Sequence, residues 1–193
     1  GNDSPVANND TAVTLVDTPV SGTVISNDSD PDGDTLVVTP QNTTTPEGTL
    51  VLNSDGTYTF TPVVGFEGTV VYPYTVCDDQ TPALCDTAEL TIVVLPAPPV
   101  GVNLAPYADD DFVTVSANTP TSGLDNVTDN DTDPNPGDTL LVNTTPVVAP
   151  LNGTVVINAN GIYIYTPNAG YSGPDSFVYS VCDVTTLVPN PLC

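Results

Sequence analysis

Two stretches of this sequence crowd carboxylates closely enough to do chemistry. Asn27-Asp-Ser-Asp-Pro-Asp-Gly-Asp-Thr-Leu36 places Asp28, Asp30, Asp32 and Asp34 at alternate positions. Asn130-Asp-Thr-Asp-Pro-Asn-Pro-Gly-Asp-Thr-Leu140 repeats it with Asp131, Asp133 and Asp138. On a looped backbone such carboxylates can turn toward one point. Hard oxygen ligands of this kind suit Ca²⁺, which takes six to eight of them; Mg²⁺ demands a tighter octahedron. The alternative is a pair of solvated Asx turns without metal. Asn135 stands where the first stretch has Asp32, which is expected to weaken a cation site in the second.

Further acids gather elsewhere. Asn103 and Asp109-Asp110-Asp111 fall near the middle of the chain, expected to lie beside Asp78 and Asp79, and Asn8 and Asp10 are their counterparts near the start. What balances these charges is the central question, because 24 acidic residues face no Lys, Arg or His, a formal charge of −24. No side-chain ion pair can form. Nucleic acid is excluded, since phosphate binding runs on Lys and Arg, and an anionic membrane surface is disfavoured. Of the 24 acids only Glu47, Glu67 and Glu89 are Glu, leaving 24 − 3 = 21 Asp. Asp favours turns and metal loops, Glu the helix surface. Catalysis is not expected: there is no basic residue to act as base or electrophile. A carboxylate pair such as Asp109 and Asp111 could hydrolyse a glycoside, but the acids recur at equivalent positions and Trp is absent.

The elements that must position these residues are strands. Hydrophobic residues make up 39% of the chain and arrive in short alternating runs, which argues against disorder. Thr57-Tyr-Thr-Phe-Thr61 and Ile162-Tyr-Ile-Tyr165 alternate with period two. The turns Ser54-Asp-Gly56 and Asn158-Ala-Asn-Gly161 make each the second strand of a hairpin. Tyr72, Tyr74 and Val76 share a face, as do Phe177, Tyr179 and Val181; core packing is a better reading of these aromatics than a ligand platform. Val13–Val16, Val20–Ile25, Leu36–Thr39, Thr49–Leu52 and Ala88–Val94 bring the count to roughly seven strands per copy, that of an Ig-like sandwich.

The chain is an internal repeat. Pro5-Val-Ala-Asn-Asn-Asp10 matches Pro106-Tyr-Ala-Asp-Asp-Asp111 at an offset of 101, and Cys77-Asp78 matches Cys182-Asp183 at 105. Two all-β domains are expected, over residues 1–95 and 106–193, joined by a stiff Pro-rich linker over 96–105. The second copy stops at Cys193, the counterpart of Cys85, so its final strand is missing. Either the chain is a window cut from a longer array, or a neighbouring chain supplies the strand. Gly1 reads as the start of a mature or excised segment, and no apolar run could span a bilayer, so no membrane insertion is expected.

The four cysteines form two local pairs at repeat-equivalent positions, arguing for Cys77–Cys85 and Cys182–Cys193 disulfides in an oxidising, extracellular setting. A loop of about nine residues contributes roughly 2.5 kcal/mol by chain entropy. Zinc is the competing reading, but the spacing is not a metal spacing and histidine is absent.

The ordered series of motifs, from Pro-x-Ala-x-x-Asp through Asn-Asp-x-Asp-Pro-x-Gly-Asp-Thr-Leu and Thr-Pro-x-x-Gly-[Phe/Tyr]-x-Gly to Tyr-x-Val-Cys-Asp, resembles the bacterial cadherin-like tandem repeats of large secreted adhesins of Bacteroidota type. The resemblance implies a calcium-dependent Ig-like β-sandwich used as an extracellular rod, with cations shared across the joint by residues such as Asn103 and Asp109–Asp111. Cysteines are not a general feature of such repeats. Thr11, Thr35, Thr87 and Thr139 resemble the O-glycosylation motif of exported Bacteroidota proteins.

Three roles follow as expectations: a Ca²⁺-stiffened stalk or filament of a surface adhesin, a fibre subunit completed by a donor strand from the next chain, or a module binding carbohydrate or a cell surface. The expected partners are further copies of the same repeat or chain, end to end, and a cell-surface or glycan target.

Overall fold

A computed structural model describes residues 1–185, 187 and 191–193 of the 193-residue chain. The described residues contain twelve strands and no helix. They divide into two compact units, Gly1–Ala97 and Pro98–Cys193.

Unit 1 is a two-layer sandwich. One sheet has the order β1 (Asp10–Leu15), β8 (Cys85–Leu95), β7 (Gly68–Cys77), β3 (Val37–Val38); the other has β2 (Val20–Thr23), β6 (Thr57–Pro62), β5 (Gly48–Leu52), β4 (Gln41–Thr44). All pairings are antiparallel except β1 with β8, which run parallel from Asp10↔Leu90 to Leu15↔Leu95. Period-two alternation decides which side chains enter the core. In β6 Tyr58 and Phe60 are buried while Thr57, Thr59 and Thr61 face water; in β8 Ala88, Leu90, Ile92 and Val94 are buried. Tyr72, Tyr74 and Val76 of β7 stand beside the β8 residues on the same face and pack against the β6 side chains, and Phe60 meets Tyr72 with ring centroids 5.9 Å apart. The aromatics that alternate in the sequence are core.

The β5–β6 hairpin turns at Ser54-Asp-Gly56. Gly56 sits at φ 85° beneath Ile25, where an added Cβ would stand 2.8 Å from the nearest Ile25 carbon. Glycine is required there twice over, by backbone angle and by space.

Unit 2 keeps the plan with shorter ladders. Its strands β9 (Thr139–Val142) and β12 (Val181–Val184) pair, as do β10 (Gly153–Ile157) and β11 (Tyr163–Pro167). Its core is Val127, Val142, Ile157, Tyr163 and Val181, with Phe177 and Tyr179 packed against it half-buried. The strand expected through Phe177, Tyr179 and Val181 is regular only from Val181; before that a single bridge joins Val178 to Val148. The physical reason is the missing neighbour: in unit 1 ten residues of β7 lean on β8, and the described residues of unit 2 contain no such strand. Among the described residues of unit 2 four strands therefore stand where about seven are expected.

Candidate metal centre

The first acidic loop lies between β2 and β3 and winds around Asp30. The Asp30 Oδ1 atom accepts hydrogen bonds from the backbone N–H of Asp32 (2.8 Å) and Asp34 (3.3 Å), and Gly33 N–H donates to Asp30 O (3.1 Å). Gly33 takes φ 79°, the left-handed turn that lets the chain double back. This wrapping brings Asp34 alongside Asp30. Asp78, the first residue after β7, completes a group of three carboxylates whose oxygens lie within 4.8 Å of one another. A Ca²⁺ coordination sphere of radius ~2.4 Å is about 4.8 Å across, so the three can share one ion. The Asp30 Oδ2 atom is buried with no hydrogen-bond donor. A buried carboxylate oxygen without a donor costs several kcal/mol or demands a cation.

Unit 2 repeats the arrangement. Asp133, Asp138 and Asp183 bring their oxygens within the same 4.8 Å. Here Asp133 Oδ2 and Asp138 Oδ2 are both buried without a donor. The third carboxylates share an amide partner: Asn2 Nδ2 donates to Asp78 Oδ2 (2.8 Å), and Asn103 Nδ2 to Asp183 Oδ2 (2.8 Å).

The four alternating aspartates of the first loop do not converge. Asp30 and Asp34 enter the cluster, whereas Asp28 and Asp32 find backbone donors instead. Asp32 Oδ2 accepts from Asp3 N–H (2.7 Å), and its counterpart Asn135 accepts from Leu104 N–H (2.8 Å) while donating to Val102 O (2.7 Å). Asn135 therefore ties down the start of unit 2, and like Asp32 it stands outside the three-carboxylate group of its unit. Asp28 accepts from Asn8 N–H (2.7 Å) and Asp131 from Asp109 N–H (2.9 Å).

These latter residues form a second, hydroxyl-centred cluster in each unit. The Tyr74 hydroxyl faces Asp10 Oδ2 (2.7 Å), Asn8 O (2.7 Å), Val24 O (3.1 Å) and Asp28 Oδ2 (3.5 Å). The Tyr179 hydroxyl faces Val127 O (2.8 Å), Asp111 Oδ2 (3.1 Å), Asp109 O (3.1 Å) and Asp131 Oδ1 (3.2 Å). One phenolic proton is surrounded by acceptors only. Asp10, Asp28, Asp109, Asp111 and Asp131 are thus gathered around tyrosine, not around the three-carboxylate groups. Asp110 is exposed, and its carbonyl accepts from Asn130 Nδ2 (2.8 Å).

Burial first, and charge crowding second, shift the protonation of these groups. Burial and the neighbouring charges of Asp30, Asp79 and Asp32 raise the Asp34 carboxyl above its ordinary range. Burial and the charges of Asp138 and Asp183 raise Asp133 against the hydrogen bond from Asn135 N–H. Asp78 is the exception: burial pushes it up, but hydrogen bonds from Asn2, Gln80 N–H and Leu84 N–H together leave it below the usual value. In the tyrosine cluster of unit 2, burial raises Asp111 to about 7 and Asp131 to about 6.

Both expected disulfides are present, Cys77–Cys85 and Cys182–Cys193, and no described cysteine is free. Thr11, Thr35, Thr87 and Thr139 are all exposed. Two positions of the carboxylate groups escape a reading of the acidic motifs alone, Asn2 and Asp183. The signal for Asp183 is the repeat itself: it stands after Cys182 as Asp78 stands after Cys77.

Residues 2–96 match the bacterial cadherin-like domain family, and residues 103–188 match the bacterial Ig domain family. No curated protein matches the chain. Among solved structures it is similar to the Protocadherin GammaB4 extracellular domain (17% identity over 100% of this chain and 34% of that one, TM-score 0.35). It is similar to the human Desmocollin-1 ectodomain (13% identity, 96% and 38%, TM-score 0.38). It is also similar to an endo-fucoidan hydrolase of glycoside hydrolase family 107 (16% identity, 95% and 34%, TM-score 0.38). The chain spans between 34% and 38% of the length of these structures. No helix of the described residues is long and apolar enough to cross a membrane.

Proposed function

Because the chain is a tandem of a bacterial cadherin-like domain and a bacterial Ig domain, we propose that it is a Ca²⁺-stiffened extracellular spacer in the stalk of a bacterial surface adhesin. The observation that carries the cation reading is the repeated three-carboxylate group with buried, donorless oxygens at Asp30, Asp133 and Asp138. In a chain without a single basic side chain, a divalent cation is the partner that such oxygens fit. Asp30, Asp34 and Asp78 would hold one ion, and Asp133, Asp138 and Asp183 another. The chemistry supplied is charge neutralisation: each ion ties an acidic loop to the end of β7 or to β12, so the loop cannot lift off its sheet. The role in this reading is non-catalytic, because both sites repeat one ligand plan. Two disulfides suit an oxidising exterior. The partners are further repeats end to end and a cell-surface or glycan target.

The test is a calcium titration of chelator-treated protein. Ca²⁺ is expected to raise the melting temperature and to be retained at two ions per chain by elemental analysis. Protein that melts at one temperature with and without Ca²⁺, and retains none, refutes the reading.

A second reading, a fibre subunit completed by a donor strand, is favoured by β12, which among the described residues pairs with β9 alone. It requires assembly that grows with protein concentration in light scattering; a strict monomer at every concentration removes it.

A further inference from the structure

We propose that the two disulfides are positioning elements of the cation sites, each holding the third carboxylate in place and thereby setting the affinity for Ca²⁺. The inference rests on the cation reading above, and the two can fail separately.

Each disulfide closes a ring directly around a ligand. Asp78 follows the first cysteine of its ring and Leu84 precedes the second. Asp78 N–H donates to Leu84 O (3.0 Å), and Leu84 N–H donates back to the Asp78 carboxylate at Oδ1 (3.1 Å) and Oδ2 (3.2 Å). In unit 2 Asp183 N–H donates to Leu192 O (2.9 Å), and Leu192 N–H donates to Asp183 Oδ1 (2.8 Å). The rings differ in length, with cysteines 8 and 11 positions apart, and their intervening sequences share little. The reciprocal grip on the carboxylate is nonetheless the same. Both carboxylates are buried, Asp78 at 3% and Asp183 at 0% exposure.

The other two ligands of each site come from one loop and support each other; Asp30, for instance, is fixed by amides of Asp32 and Asp34. The third ligand arrives from a distant part of the chain, so its distance from the loop depends on what holds it. The leucine amide aims the carboxylate, and the covalent ring keeps the leucine beside it. Second partners of this kind typically contribute 10–100-fold to metal affinity when lost. A dithiol opens the ring by supplying two electrons and two protons: the cystine becomes two thiols and the dithiol becomes its own cyclic disulfide. The carboxylate then swings free of its leucine. The longer ring of unit 2 releases more chain, so the second site loses more.

The experiment uses the whole 193-residue chain, freed of metal and titrated calorimetrically with Ca²⁺ alone, well below its melting temperature. The variants are Cys77→Ser with Cys85→Ser, and Cys182→Ser with Cys193→Ser. Each pair is expected to weaken one site by about 10–100-fold, leave the other unchanged, and keep the far-ultraviolet dichroism of the parent. Asp78→Asn serves as the reference for complete loss of the first site. Affinity within twofold of the parent in both folded variants overturns the proposal and leaves the cation reading standing. No binding heat in the oxidised parent overturns the cation reading and the proposal with it. Should a variant fail to fold, the parent is reduced with dithiothreitol under saturating Ca²⁺ and mixed rapidly with a chelator. Release about 10–100-fold faster than from oxidised protein supports the proposal, and equal release rates overturn it.

Discussion

Removing one oxygen atom, in Tyr74→Phe, should destabilise unit 1 more than most single changes. The hydroxyl donates into a ring of acceptors, with Asp10 Oδ2 and Asn8 O both at 2.7 Å and Val24 O at 3.1 Å. Tyr74 is 2% exposed and Asp10 9%, so water cannot replace the lost donor without repacking. A charge-assisted hydrogen bond contributes about 1.5–3 kcal/mol, and an acceptor left buried adds about 1–3 kcal/mol. Since these terms overlap, a loss of about 2–4 kcal/mol is expected. For a unit of 97 residues, with about 4–8 °C per kcal/mol, the melting transition of unit 1 should fall by about 8–32 °C. Calorimetry on the whole chain in chelator reads it, with the transition of unit 2 as internal control. The matching change Tyr179→Phe should cost less, because Tyr179 is only half-buried. A loss below about 0.5 kcal/mol for Tyr74→Phe would refute the claim that the hydroxyl organises these acids.

Asp111 adds a pH dependence to metal-free unit 2. Burial, with the charges of Asp131, Asp129 and Asp109, raises its carboxyl from 3.8 to about 7 despite the hydrogen bond from Tyr179. The folded state therefore binds this proton more tightly than the unfolded chain, and the associated stability is complete below about pH 4 and lost as pH rises through about 7. After solvent screening of a half-buried group the effect is about 1–2 kcal/mol. Urea unfolding at several pH values should show it, and Asp111→Asn should flatten the profile; an unchanged slope in that variant contradicts the assignment. Asp138→Asn should abolish Ca²⁺ binding at the second site alone, halving the calorimetric stoichiometry. Gly56→Ala forces a Cβ to within 2.8 Å of Ile25 at φ 85° and should cost about 1–3 kcal/mol, measured by urea denaturation.

The hairpins, the core aromatics and the cystines were legible because each rests on local pattern: alternation around Tyr58 and Phe60, glycine turns at Gly56 and Gly161, cysteines equivalent by repeat. β4 was not. Gln41-Asn-Thr-Thr44 is a polar edge whose strand character comes from pairing with β5. The division of labour among Asp28, Asp30, Asp32 and Asp34 was equally hidden. Alternate spacing says that four carboxylates can converge, yet amides of Asn8 and Asp3, some twenty to thirty residues away, claim two of them. The ladders of unit 2 fell short of expectation for a non-local reason too, since a strand's regularity depends on its neighbour.

The parallel pairing of β1 with β8 has a mechanical consequence. The strand that opens unit 1 and the strand that closes it are direct neighbours pointing the same way, over six matched residues from Asp10↔Leu90 to Leu15↔Leu95. Tension applied through the two ends of the unit pulls these strands past each other along their length. The rungs between them then bear load together instead of parting one at a time, so a stretched unit 1 yields by sliding, not by unzipping.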